Sequence, residues 1–257
     1  MPKFATHFMI FGQDKWVMKH IENAYPHFDR IYIAYGKLPW GYNPDARKKY
    51  VNTFDLDVIR KSKFNNKITI IEGDWLKDEE QRNACYNQAK KDGMDYLMIR
   101  DADEFYSNQD FIKMKDFIIK NPDYDVYRCA WYCFWKTFKY ILVPNANEKI
   151  VGYPEIFANL NKENNSFKNK RTPFGKSIIT IPDVLCYHGA YVFTNEELFV
   201  KLKTWSHSTD FNTDWWYNNV WLKWNETMIN IHPINPSAWY KAIPYNGELP
   251  EILKDYK

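Results

Sequence analysis

The chain has 257 residues, 45% hydrophobic and 26% charged, a balance that excludes a disordered or fibrous protein and suits one to two globular domains. The formal net charge of +3 is spread along the chain and calls for no nucleic-acid partner. No apolar run reaches the length of a membrane span, and the first residues turn polar at Gly12-Gln13-Asp14, too soon for a signal peptide. Four cysteines (Cys85, Cys129, Cys133, Cys186) form no CxxC pair, so neither a zinc site nor a disulfide scaffold is read, and a reducing, cytoplasmic setting is expected. Aromatic residues make up 18% of the chain, with 11 Trp; most must fill a core, and a minority can offer a flat apolar platform to a ligand ring.

Residues 4–11 are apolar and end at Gly12-Gln13-Asp14, which predicts a buried strand entering a helix with Asp14 as its N-cap. Val17, Ile21, Ala24 and Tyr25 recur at helical spacing until Pro26. Residues 30–35 read as a second strand, closed by Gly36. A helix is expected over 44–61, and a third strand over 68–72, ending at Gly73-Asp74-Trp75. Residues 78–91 carry acids in the first turn and lysines in the last, followed by Asp92-Gly93, and predict a helix. Residues 96–100 form a fourth strand running into Asp101-Ala102-Asp103-Glu104-Phe105. Strands alternating with helices predict an α/β fold with a mostly parallel sheet, helices on both faces and ligands beyond the carboxyl ends of its strands.

The second half is less regular. Residues 124–137 are aromatic-rich and strand-like; 159–176 read as a polar, mobile loop with few apolar anchors. Strands are expected at 177–181 and 184–188, and a helix at 195–205 with Asn195 as cap. From Asn230 onward, repeated prolines predict a tail wrapped on the surface. The tryptophans at 205, 215, 216, 221 and 224 can line an acceptor groove, but their spacing fits a helix packed on the core better.

Three Asp-x-Asp pairs occur: Asp55/Asp57, Asp101/Asp103 and Asp123/Asp125. Only the middle pair follows an apolar strand; the other two are expected to be solvated. Carboxylates gathered at a strand end repel one another unless a cation sits among them. Oxygen donors of this kind suit Mg²⁺ or Mn²⁺. In the alternative, Asp101 caps the next turn while Asp103 and Glu104 face water.

Gln81-Arg82-Asn83-Ala84, followed by residues 93–105 with their strand and Asp-x-Asp-Glu ending, resembles the core of GT-A glycosyltransferases of family 2 type. The same ending, with Tyr187-His188-Gly189-Ala190-Tyr191, Lys201-Leu202 and Ser206-His207-Ser208, is also similar to the bisecting N-acetylglucosaminyltransferase family. One departure stands out. Many family 2 members close the second strand with a base-reading Asp, where this chain has Ala34-Tyr35-Gly36-Lys37.

The resemblance implies a Rossmann-like GT-A domain over 1–257, with a nucleotide-sugar half (1–106) and an acceptor-side half (107–257). It implies a metal ion, Mn²⁺ or Mg²⁺, held by Asp101, Asp103 and His188. The donor, with UDP-sugars favoured, would meet Phe11, Gly12, Gln13, Asp14, Asp74, Arg82 and Asp101. The acceptor would be a glycan or another hydroxyl compound. An inverting enzyme also needs a carboxylate to take the hydroxyl proton; Glu155 is favoured over Asp183, Asp210 and Asp214. Two alternatives stay open: a metal-dependent nucleotidyltransferase, and a carbohydrate-binding pseudoenzyme without turnover.

Overall fold

The computed structural model describes residues 1–12, 14–144, 150, 152–163 and 166–256. Gln13, and Asn164 and Asn165 within the expected polar loop, lie outside the described residues.

Four parallel strands open the fold: β1 (Phe4–Ile10), β2 (Arg30–Gly36), β3 (Ile68–Gly73) and β4 (Tyr96–Ile99). Strand β2 shows why both faces need cover. Ile31 and Ile33 join one core layer with Val17, Ile21 and Ala24 of α1 (Asp14–Ala24). Tyr32 and Ala34 point into the opposite layer, where Cys85, Tyr86 and Ala89 of α4 (Asp78–Lys91) meet them. The expected α/β class, with a largely parallel half and helices on both faces, is what the chain adopts. Between β2 and β3 the expected long helix is two short ones, α2 (Pro44–Lys49) and α3 (Asp57–Arg60). Asn52 breaks the run: its buried amide donates to the carbonyls of Ile10 and Gly36 and ties the extended segment to the ends of β1 and β2.

After β4 come the two-residue β5 (Glu104–Phe105) and α5 (Asn108–Lys120). Sequence periodicity did not single out α5, although Ser107 and Asp110 form a reciprocal cap at its start. Phe111, Met114 and Ile118 seat it on the α1 side of the sheet.

The sheet then turns antiparallel. Strands β6 (Val126–Trp135), β7 (Thr137–Val143) and β8 (Glu155–Asn159) extend it, with β8 between β4 and β6. Strands β9 (Phe167–Asn169) and β10 (Thr172–Pro173) form a separate small hairpin. The two strands expected at 177–181 and 184–188 are one, β11 (Ile178–Tyr191), kinked by a register shift at Pro182-Asp183, where Asp183 has φ +53°. It runs beside β6 and also pairs with β5, which carries His188 to the end of β4.

Helix α6 (Asn195–Thr204) is capped by Thr194, one residue before the expected Asn195. Helix α7 (Thr213–Trp216) continues into a wide turn that buries Trp221. Trp216 and Trp221 pack with Trp135 and Tyr191 in the core, as their spacing suggests. The tail closes the sheet through β12 (Lys241–Pro244), antiparallel to β7. No helix of the described residues is long and apolar enough to cross a membrane, and all four cysteines are free and buried.

Candidate active site

A cavity of about 480 Å³ opens beyond the carboxyl ends of the parallel strands. Met9, Ile10 and Phe11 come from the end of β1, Gly36 from the end of β2, and Leu38, Pro39 and Trp40 from the segment after it. Helix α4 contributes Asp78 and Arg82 near its N-terminus, and the β4–β5 connection contributes Asp101 and Asp103. The β9–β10 turn adds Lys170 and Arg171; β11 and α6 add His188 and Lys201. Trp40, Trp131, Trp205 and Trp239 stand in the walls.

The floor is a closed set of ion pairs. Asp101 receives Arg82 Nη2 on Oδ1 at 2.6 Å and Arg171 Nη1 on Oδ2 at 3.3 Å. Asp103 receives Lys201 Nζ on Oδ2 at 2.7 Å, and His188 Nε2 lies 3.4 Å from its Oδ1. Fully buried Glu104 is held by both terminal nitrogens of Arg171. Arg171 also donates to the carbonyls of Ile99 and Glu155, which pins the hairpin turn beneath the cavity.

These pairs decide the protonation states. Burial alone would raise the Asp101 carboxyl, but the Arg82 and Arg171 charges outweigh it and hold it at about 2. At Asp103 burial is likewise overcome, by Lys201 and His188, and the carboxyl lies well below the usual range. Burial disfavours charge on His188, yet Asp103 raises its imidazole to about 10. Asp78 differs. Burial raises it to about 6 against the pull of Arg82, and its Oδ1 accepts the Tyr42 hydroxyl at 2.9 Å.

The structure brings Phe11, Arg82, Asp101, Asp103 and His188 of the expected site into one cavity. Arg82 is buried against Asp101. Four expected residues are not among the lining side chains. Asp74 is an exposed partner of Arg47. Exposed Asp14 starts α1 and faces Thr53. Gly12, at φ +73°, only turns the chain. Glu155 opens β8; its backbone carbonyl accepts from Arg171, and its side chain is not among those that line the cavity. Neither outer Asp-x-Asp pair joins the cavity. Asp125 is nonetheless not simply solvated: its carboxylate receives the backbone N–H of Lys176 and Ser177.

The metal expectation meets a saturated donor set. Both oxygens of Asp101 receive guanidinium groups, Asp103 Oδ2 receives the Lys201 ammonium, and His188 Nε2 faces the remaining Asp103 oxygen. Among the described residues no group of three or more His, Cys, Asp or Glu side chains is placed to hold a metal ion. The residues present do not fit a divalent cation at this floor.

Sequence reasoning missed Lys170, Arg171 and Lys201. The first two stood in a stretch read as mobile loop. Lys201 stood in a family-like block, but its role shows only where α6 crosses above Asp103. The β9–β10 hairpin is anchored by buried Phe167, whose backbone exchanges two hydrogen bonds with the Asn83 side chain.

No protein-family model matches the chain, and no curated protein matches it. Among solved structures it is similar to residues 1–349 of TarS from S. aureus, at 10% identity and a TM-score of 0.48, covering 77% of this chain and 62% of that one. The same TarS fragment in complex with UDP gives 11% identity and a TM-score of 0.46, covering 81% and 74%. A 4-diphosphocytidyl-2C-methyl-D-erythritol synthase from Anaerococcus prevotii gives 8% identity and a TM-score of 0.42, covering 77% and 94%. The chain thus spans under two thirds of the first of these structures.

Proposed function

We propose that this chain is a glycosyltransferase of GT-A type, which moves a sugar from a nucleotide-diphosphate donor to an acceptor hydroxyl, on a glycan or a similar compound. One observation carries the reading: a cavity at the carboxyl ends of the parallel strands joins a floor of paired cations and carboxylates to walls of tryptophan. Its volume of about 480 Å³ suits a ligand of nucleotide size. Cationic side chains offset the charge that grows on a leaving diphosphate, and apolar rings beside them stack on sugars and exclude water. Nucleotidyl transfer is less well supported, because Gly12 is the sole glycine of the β1–α1 connection and makes no phosphate loop.

The test is a panel of UDP-, GDP- and CDP-sugars, scored for nucleoside diphosphate release with and without hydroxyl acceptors. One donor should lose its nucleotide slowly to water and faster with an acceptor. Release of pyrophosphate from a nucleoside triphosphate and a sugar phosphate would favour nucleotidyl transfer instead. Silence across the panel would favour a binding module.

A further inference from the structure

The floor of the cavity has no excess of carboxylate charge that calls for an added ion. Arg82, Arg171 and Lys201 alone already match Asp101, Asp103 and Glu104, with His188 beside Asp103 in addition. A divalent cation is held by carboxylate oxygens at close range, and here it would have to displace the Lys201 ammonium from 2.7 Å or a guanidinium from 2.6 Å. Outside these pairs the cavity holds the Asp78 carboxyl and, in addition, cationic donors that no carboxylate among the described residues takes up. Lys170 Nζ lies against His207, 3.1 Å from Nδ1 and 3.3 Å from Nε2, and pairs with no carboxylate among the described residues. Arg82 is 3% exposed, yet its Nε and Nη1 have no hydrogen-bond partner among the described residues. Buried donors without acceptors are costly, and a site that keeps them is shaped for an anion. Both side chains line the cavity.

We infer that the cavity takes the diphosphate of its nucleotide directly on Arg82 and Lys170, with Lys201 beside them, and needs no divalent cation. A diphosphate supplies the acceptors these donors lack, as charge-assisted hydrogen bonds. Lys201 then has two tasks: it holds Asp103 and stands where a metal would neutralise the leaving group. Lys170 comes from the β9–β10 turn at φ +46°, fixed by its neighbour Arg171, so the cation is positioned before the anion arrives. The inference rests on the glycosyltransferase reading and departs from the metal dependence that the sequence resemblance implies.

The experiment is calorimetric titration of the whole chain with UDP, GDP and CDP, in EDTA and again in excess Mn²⁺. One nucleotide should bind in EDTA with an affinity within about threefold of that in Mn²⁺. In EDTA, Lys170→Gln should weaken it about tenfold or more, and Arg82→Lys similarly, with circular dichroism confirming that each variant folds. Binding that appears only with Mn²⁺, or that Mn²⁺ strengthens more than about tenfold, overturns the inference and leaves the transferase reading standing. Unchanged affinity in Lys170→Gln also overturns it. Failure of all three nucleotides in both buffers overturns both readings.

Discussion

Asp78 shows how single residues are held at a cost in this cavity. Its carboxyl is 3% exposed, accepts the Tyr42 hydroxyl and the Glu79 backbone N–H, and pairs with no cation among the described residues. Folding raises it from the ordinary range to about 6. Between pH 4 and 6 the folded chain therefore binds more protons than the unfolded one, so stability falls as pH rises through that window. Above it, the native state carries a buried, poorly compensated charge. Asp78→Asn keeps an acceptor for Tyr42 and removes that charge. The variant should be more stable than wild type at pH 8 by on the order of 1–2 kcal/mol, and level with it at pH 4. Urea denaturation at both values measures this; an equal difference at the two would show that the charge is not the cause. Asp101 and Asp103 are the opposite case. Their cations lower them, so they stay ionised well into acid.

At the scale of elements, the β9–β10 hairpin is the part that sequence alone misread. Composition showed polar residues and missed the three that fix it: Phe167 in the core, Asn83 bonded to its backbone, and Arg171 beneath the cavity. Polar content predicts mobility only where the polar groups face water; here the main one faces buried Glu104. Arg171→Met should destabilise the fold by about 3–5 kcal/mol, because it strands a carboxylate with no solvent access. Adding Glu104→Gln should recover a large part of that loss, since the pair is then removed together. Chemical denaturation of the two variants measures the recovery, and a double variant no better than Arg171→Met would contradict it. By contrast, β1 to β4 and α4 were legible almost residue for residue. Their signals are local: apolar runs, a charge gradient along α4, glycines at the strand ends. The carboxylate cluster was legible as the ending of such a strand. Of its cations Arg82 was named but Arg171 and Lys201 were not, because these two arrive from elements about 70 to 100 residues away, through contacts that no spacing encodes. The repulsion expected among the acids is real, and the protein answers it with its own side chains.

At the scale of the molecule, the tail joins the cavity to the core. It runs past the site, where the Trp239 ring stacks on His232 at 4.3 Å and both line the cavity wall. His232 Nε2 lies 3.0 Å from the Tyr191 hydroxyl, on the strand that carries His188. It then pairs β12 with β7, covering a strand edge that would otherwise stand open to association. Its last turn sets Leu253 fully into the core and Tyr256 against Trp16. The two tasks, wall and closure, belong to different residues and can be separated. Trp239 is only partly buried, so Trp239→Ala should shift the melting temperature by a few degrees at most. It opens the wall, so acceptor KM should rise, and more of the donor should be lost to water. Leu253→Ala should do the reverse. Emptying a fully buried leucine site costs about 2–5 kcal/mol, which at this chain length lowers melting by roughly 5–15 °C. Nucleotide affinity and the ratio of transfer to hydrolysis should not move, because Leu253 lies on the core side of the tail, away from the cavity. Melting curves and product ratios for the two variants decide between a tail with two tasks and a simple strap, for which both substitutions would lower stability and leave the product ratio untouched.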